Sequence, residues 1–182
     1  MVQRLFLRAA DQPWGDYGSL LAYGMTAQRS RTEAGRLQLE RTGPLVPPIW
    51  ESGIADLLVT EDGWDELVAE GFTGIDRRPV ELAHIVRLEW ERWDLAADDP
   101  AFYPDGGEPE DYVLGAEHDP ELAASMPQVW EVVLRPWREV PDVDLSRALP
   151  ERSSILVSER FGTWIAEHHS RWLRTEMVTF AD

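Results

Sequence analysis

Leu57-Leu-Val-Thr60-Glu61 and Ile155-Leu-Val-Ser158-Glu159 are two occurrences of one pattern, and its reading decides the fold. In each, a short apolar run suited to a buried strand ends at a hydroxyl residue that can cap a helix. The acid that follows falls in the first helical turn, where the helix dipole favours negative charge. Apolar residues then recur at helical spacing: Trp64, Leu67 and Val68 after the first run, Phe161, Trp164 and Ile165 after the second. Gly71 stands where the first helix would exit through the left-handed conformation. Each helix leads into a return segment, Gly74 to Val80 and Arg174 to Phe180. The pattern predicts two strand–helix–strand units.

Outward from these units, Gln3 to Leu7 and Arg36 to Arg41 alternate in the manner of strands, the second ending at Thr42-Gly-Pro44 and Pro47-Pro48. Asp11 to Gly18 is punctuated like a loop. Ala83 to Trp93 alternates Ile85, Arg87, Glu89 and Glu91 with Val86, Leu88 and Trp90, which predicts another strand. Asp94 to Gly115, rich in Pro and Gly, reads as a long ordered surface loop. Asp119-Pro120-Glu121 reads as an N-cap with proline at the first helical position, opening a short helix through Met126. Gln128 to Arg135 is β-rich, and Val140 to Pro150 reads as a connecting loop. The fold class expected is α+β: a single domain over 1–182, its two strand–helix–strand units packed on a mixed sheet.

The apolar fraction is 43% and there are nine Trp, enough bulk for a core in a chain of 182 residues. Acids number 34 against 17 Lys and Arg, a formal net charge of −17. Such a charge disfavours nucleic acid and anionic membranes, and favours encounter with a basic protein. The chain has no cysteine, which excludes disulfides, thiolate metal sites and cysteine nucleophiles. No run reaches the roughly 18 apolar residues of a membrane span, and Met1 to Ala10 lacks a signal-peptide apolar region. A cytoplasmic location is the expectation.

The charge is concentrated. Glu89 to Glu121 holds twelve acids and one base, Arg92, in thirty-three residues, together with Trp90, Trp93, Phe102, Tyr103 and Tyr112. Aromatics in this number distinguish an ordered acidic surface from a disordered acidic tail. The candidate partner-binding residues are Glu89, Glu91, Trp93, Asp94, Asp98, Asp99, Tyr103, Asp105, Glu108, Glu110 and Asp111. Against this, an acidic run is commonly a solvated face, and Trp90, Trp93 and Trp137 serve equally well as packing beneath a loop. Trp64, Trp164 and Trp172 read as core.

Catalytic patterns are weak by comparison. The four histidines, His84, His118, His168 and His169, show no metal-ligand spacing. His84 falls in an apolar strand pattern and reads as scaffold, and His168 and His169 suit the negative end of the last helix. Ser158 lacks the flanking glycines of a nucleophile elbow and reads as a cap. Asp105-Gly-Gly-Glu108 offers oxygen ligands to calcium but not the ladder of an EF-hand, and no metal or cofactor is expected. Paired carboxylates leave open a hydrolase acting on a sugar or another small substrate. A generic adaptor is a third possibility.

Four stretches carry a family resemblance: Thr42-Gly-Pro-Leu-Val-Pro-Pro48, Asp56-Leu-Leu-Val-Thr60, Ile85-Val-Arg-Leu-Glu-Trp90 with Trp93-Asp94, and Tyr103-Pro-x-x-Gly-Glu-Pro-Glu-Asp-Tyr112. With gaps, between about Thr42 and Phe180, the chain resembles bacterial immunity proteins of intercellular toxin systems. It looks most like those associated with the double-CXXCG motif, but carries none of their cysteines. Leu156-Val-Ser-Glu-Arg-Phe161 is similar to the ending of related immunity families. The resemblance implies a cytoplasmic, non-enzymatic inhibitor whose partner is a cognate protein toxin, blocked by occlusion of its active site or substrate-binding surface.

Overall fold

A computed structural model describes residues 4–52, 56–103, 106–149 and 152–177. The architecture is α+β, with strands in three sheets. The chain forms two compact units, Met1–Ala10, Pro48–Arg78 and Trp130–Asp182 in the first, Asp11–Pro47 and Pro79–Val129 in the second.

The first unit contains β1 (Arg4–Ala9), β4 (Ile49–Glu51), β5 (Leu57–Thr60), α2 (Glu61–Ala69) and β6 (Ile75–Pro79). It also contains β8 (Val129–Leu134), β9 (Leu145–Leu149), β10 (Arg152–Ser158), α4 (Glu159–His168) and β11 (Leu173–Met177). Its two sheets run β4-β5-β8-β6 and β11-β1-β10-β9. Read in the direction β9-β10-β1-β11, the second sheet repeats the first. In each, an antiparallel strand pairs with the apolar run, and a strand from elsewhere in the chain lies between that run and its return strand. β1 is antiparallel to both β10 and β11, so those two strands are parallel and α4 is a crossover between them.

The correspondence extends to the hydrogen bonds. Thr60 N–H donates to Pro48 O at 3.0 Å, and Ser158 N–H to Asp144 O at 2.8 Å. Ile49 lies opposite Val59, and Leu145 opposite Val157. The capping roles read from the sequence are present: Thr60 accepts from Gly63 N–H and Ser158 from Phe161 N–H, each at 3.2 Å. Gly63 has no room for a side chain, since a Cβ there would lie 2.0 Å from Pro48 O. At the exit of α2, Gly71 is left-handed at φ 67°. Its N–H donates to Val68 O, and Phe72 N–H to Leu67 O, closing the helix in a Schellman motif.

The second unit contains α1 (Asp16–Tyr23), β2 (Met25–Arg31), β3 (Leu37–Gly43), β7 (Glu81–Arg87) and α3 (Pro120–Ser125). Its sheet, β2-β3-β7, is mixed: β2 is antiparallel to β3, and β7 parallel. α1 is fastened to β3 at its C-terminal end. Thr42 Oγ1 donates to Leu21 O at 2.8 Å, and the fully buried Arg41 donates through Nη2 to Ala22 O at 3.2 Å. The cation thus meets the negative end of the helix, while burial pulls its pKa down to about 9.

Three sequence readings are corrected. The loop assigned to Asp11–Gly18 stops at Gly15, because α1 starts at Asp16. The strand assigned to Ala83–Trp93 ends at Arg87, and Trp90–Arg92 forms a 3₁₀ turn. The connecting loop assigned to Val140–Pro150 contains β9, held by pairing with β10. Position 3 of the first predicted strand and positions 178–180 of the last return segment lie outside the described residues.

Candidate functional site

The acidic segment leaves β7 and is anchored by apolar residues at intervals. Trp90 is 2% exposed, and Val113 and Leu114 are buried in a π-helical turn, Glu110–Leu114. Residues from the start of the second unit hold the middle. Trp14 Nε1 donates to Ala97 O at 2.9 Å, and its ring lies 6.1 Å from that of Trp93. Tyr17 hydroxyl donates to Phe102 O, with its ring 6.0 Å from Tyr103. Trp14 sits at φ 66°, a left-handed backbone that a bulky residue adopts at a cost of about 1–3 kcal/mol. Its bonds to the segment hold it there. Asp94 turns the chain, its Oδ1 accepting from Ala96 N–H at 3.0 Å.

On this base the predicted residues divide. Asp94, Asp98, Asp99, Glu108, Glu110 and Asp111 are exposed. Phe102 and Tyr103, between Asp99 and Glu108 in the sequence, are 56% and 62% exposed. Glu89 is half-buried and ion-paired with Arg92, so it is not a free surface charge. Glu91 is half-buried, with Oε2 out of contact with solvent, and Trp93 is half-buried against Trp14. Asp105, with the calcium position suggested beside it, lies outside the described residues.

Asp119, at the end of the segment, serves the fold. Its carboxylate accepts from Leu122 N–H at 2.8 Å as the α3 cap and pairs with Arg87 Nε at 2.8 Å. The Leu122 bond, with Arg87 assisting, holds its pKa below the usual carboxylate range despite partial desolvation. Sequence reasoning missed Trp14 and Tyr17 as supports of the segment. Their only sequence signal was aromatic residues inside a stretch punctuated by Pro and Gly.

The first unit holds two denser polar clusters. Asp144 accepts from Ser158 Oγ at 2.8 Å, Thr73 Oγ1 at 2.9 Å and Arg160 Nη2 at 2.8 Å. Burial alone would raise the Asp144 pKa, but these bonds outweigh it and hold it at about 2. Arg160 also donates to Glu70 O and Gly71 O, capping the end of α2. In the other cluster, Glu61 binds Arg77 Nη1 at 2.8 Å and Trp130 Nε1 at 2.6 Å, and the Arg77 bond leads in lowering its pKa. The Arg77 guanidinium lies 4.1 Å from the Trp130 ring and 5.1 Å from that of Trp64, which is half-buried.

A shallow cleft of about 360 Å³ is lined by Glu70, Phe72, Arg160, Trp164, Glu167 and His168. Among the described residues, no group of three His, Asp or Glu is arranged to hold a metal, and no helix is long and apolar enough to cross a membrane. Comparison with protein-family models, with curated proteins and with solved structures gives no match to this chain.

Proposed function

We propose that the chain is a non-enzymatic immunity protein that binds and neutralises a cognate bacterial toxin in the cytoplasm. It would present the acidic face of its second unit to a basic active-site or substrate-binding surface. The observation that carries this reading is the anchored segment on which Asp94, Asp98, Asp99, Glu108, Glu110 and Asp111, with Phe102 and Tyr103, are all exposed. A preformed base limits the ordering entropy lost on binding. The concentrated charge speeds encounter with a basic partner, and the two aromatics offer contact area that excludes water.

A second reading is a hydrolase acting on a sugar through paired carboxylates, for which Glu70 and Glu167 in the first unit's cleft are the candidates. It is the weaker one, because Phe72 and Trp164 in that cleft are buried in packing and do not form an open stacking platform.

The test is co-expression with the protein encoded beside it. Tight, salt-sensitive binding with rescue of growth supports immunity. The variant Asp98→Asn/Asp99→Asn/Glu108→Gln/Asp111→Asn is expected to slow association about tenfold or more at low salt and to flatten its salt dependence. Unchanged association by that variant would remove the acidic segment from the interface. Absence of both binding and rescue would remove the immunity reading itself.

A further inference from the structure

The outer edge of β7 is closed partly by a side chain. Ile85, fully buried, accepts from Asp119 N–H through its carbonyl at 2.8 Å, as a paired strand residue would. Its N–H, however, meets no carbonyl. It donates to His118 Nδ1 at 2.9 Å, so an imidazole nitrogen stands where a neighbouring strand would place an oxygen. One residue before Ile85, His84 Nε2 lies 2.9 Å from Ala116 O, and the two rings are 5.7 Å apart. The span from Ala116 to Asp119 is thereby strapped to β7.

The two histidines differ in what a proton does to them. A carbonyl only accepts, so His84 Nε2 carries hydrogen, and its bond survives when the ring is charged. An N–H only donates, so His118 Nδ1 must be bare. Protonation puts a hydrogen on both ring nitrogens and turns that contact into donor against donor, leaving the Ile85 N–H unpaired at a buried residue.

The surrounding charges do not restore the bond. On β7, Arg87 is engaged with Asp119, whose other oxygen caps α3. His84 brings a second ring 5.7 Å away, whose Nε2 is committed to Ala116 O. Glu117 beside His118 and Glu121 in the first turn of α3 are exposed, and Glu40 of β3 lies opposite His84 in the strand register. None of these acids bonds the Ile85 N–H, whose acceptor is His118 Nδ1.

We propose that His118 is a proton-operated latch. Neutral, it holds the Ala116–Asp119 span, and with it the end of the acidic segment, on the edge of β7. Charged, it gives up the Ile85 N–H and loosens that edge, which the Asp119 N–H bond to Ile85 O and the Arg87 pair still hold.

The test is amide exchange at Ile85 in the isolated protein, expressed as protection relative to the intrinsic rate at each pH. It needs no partner, so it stands or falls independently of the immunity reading. Wild-type protection is expected to fall about tenfold between pH 8 and pH 5. His118→Asn, which supplies an amide oxygen in place of Nδ1 and does not titrate, keeps the protection at both values. His118→Ala lacks it at both. Imidazole ¹⁵N shifts at pH 8 provide a second measurement and should report hydrogen on Nε2 of His118. Equal wild-type protection at both pH values, a pH-dependent loss that persists in His118→Asn, or hydrogen on Nδ1 at pH 8 would overturn the latch.

Discussion

In the first unit, Asp144 takes hydrogen bonds from three side chains and Glu61 from two. In the acidic segment of the second unit, Asp98, Asp99, Glu108, Glu110 and Asp111 are exposed, with no side-chain bond among the described residues. The residue type is the same and the use is opposite. Asp144 and Glu61 tie elements of the first unit together: Asp144 joins the start of α4 to the segment that follows α2. Those five acids of the segment have no such tie to the fold. This exposed, unbonded set on a supported segment is the observation on which the proposed partner-binding role rests.

The contrast can be broken most forcibly at Asp144. Asp144→Ala leaves Ser158, Thr73 and Arg160 without their shared acceptor, and urea unfolding should register a loss of about 2–3 kcal/mol. A loss below about 0.5 kcal/mol would mean that the cluster is ornamental and the contrast false.

The two caps sharpen the picture within the first unit. Ser158→Ala should cost about 1–2 kcal/mol, and Thr60→Ala about 1 kcal/mol, because only Ser158 also donates to an acid. Equal losses would show that the Asp144 bond adds nothing to capping.

Acid provides the third comparison. Burial lowers the pKa of His169, with Glu66 at 2.9 Å opposing, so the folded protein holds the ring neutral where the unfolded chain takes up a proton. Its contribution is therefore complete above the ordinary imidazole range and is lost as pH falls below about 6.5. Asp144 has the usual carboxylate sign. Its contribution is present above the unfolded value near 3.8 and is lost as pH falls toward its folded value of about 2. Denaturant titrations across pH 4 to 8 should show a slope below about pH 6.5 that disappears in His169→Gln, and its persistence there would locate the titrating group elsewhere.

The smallest effect belongs to the segment. Asp98→Asn/Asp99→Asn/Glu108→Gln/Asp111→Asn should change stability by no more than about 0.5 kcal/mol, toward greater stability if at all, since like charges are removed. A substantial loss would place these acids among the fold's supports.

Much of the first unit was legible because its signals are local. A hydroxyl after an apolar run, with an acid behind it, identifies a helix start from five residues, and both starts at Thr60 and Ser158 are formed. The Asp119-Pro120 start was legible for the same reason. β9 was not, because Leu-Ser-Arg-Ala-Leu has little strand character and forms through pairing with β10. β4, three residues behind two prolines, is too short to show a period. α1 was hidden by Gly15 and Gly18, and the second of these is a packing requirement: a Cβ there would meet Pro13 O at 1.7 Å. For the candidate site, the sequence located the acidic segment and set Asp119 apart as a cap, but could not separate Glu89 from Asp98 and Asp99 or give Asp119 its Arg87 partner. Partners decide that division, and Arg87 lies 32 residues from Asp119 along the chain.

β1 carries a consequence for how the protein is made. It lies between β10 and β11, pairing Leu7 with Ile155 on one side and with Thr175 on the other. Both neighbours are synthesised long after it. During translation the strand leaves the ribosome with two unsatisfied edges and must wait, through well over a hundred residues, for the chain that covers them. Arg4 and Arg8, flanking Leu5-Phe-Leu7, provide the charges that discourage such a strand from pairing with another molecule in the interval.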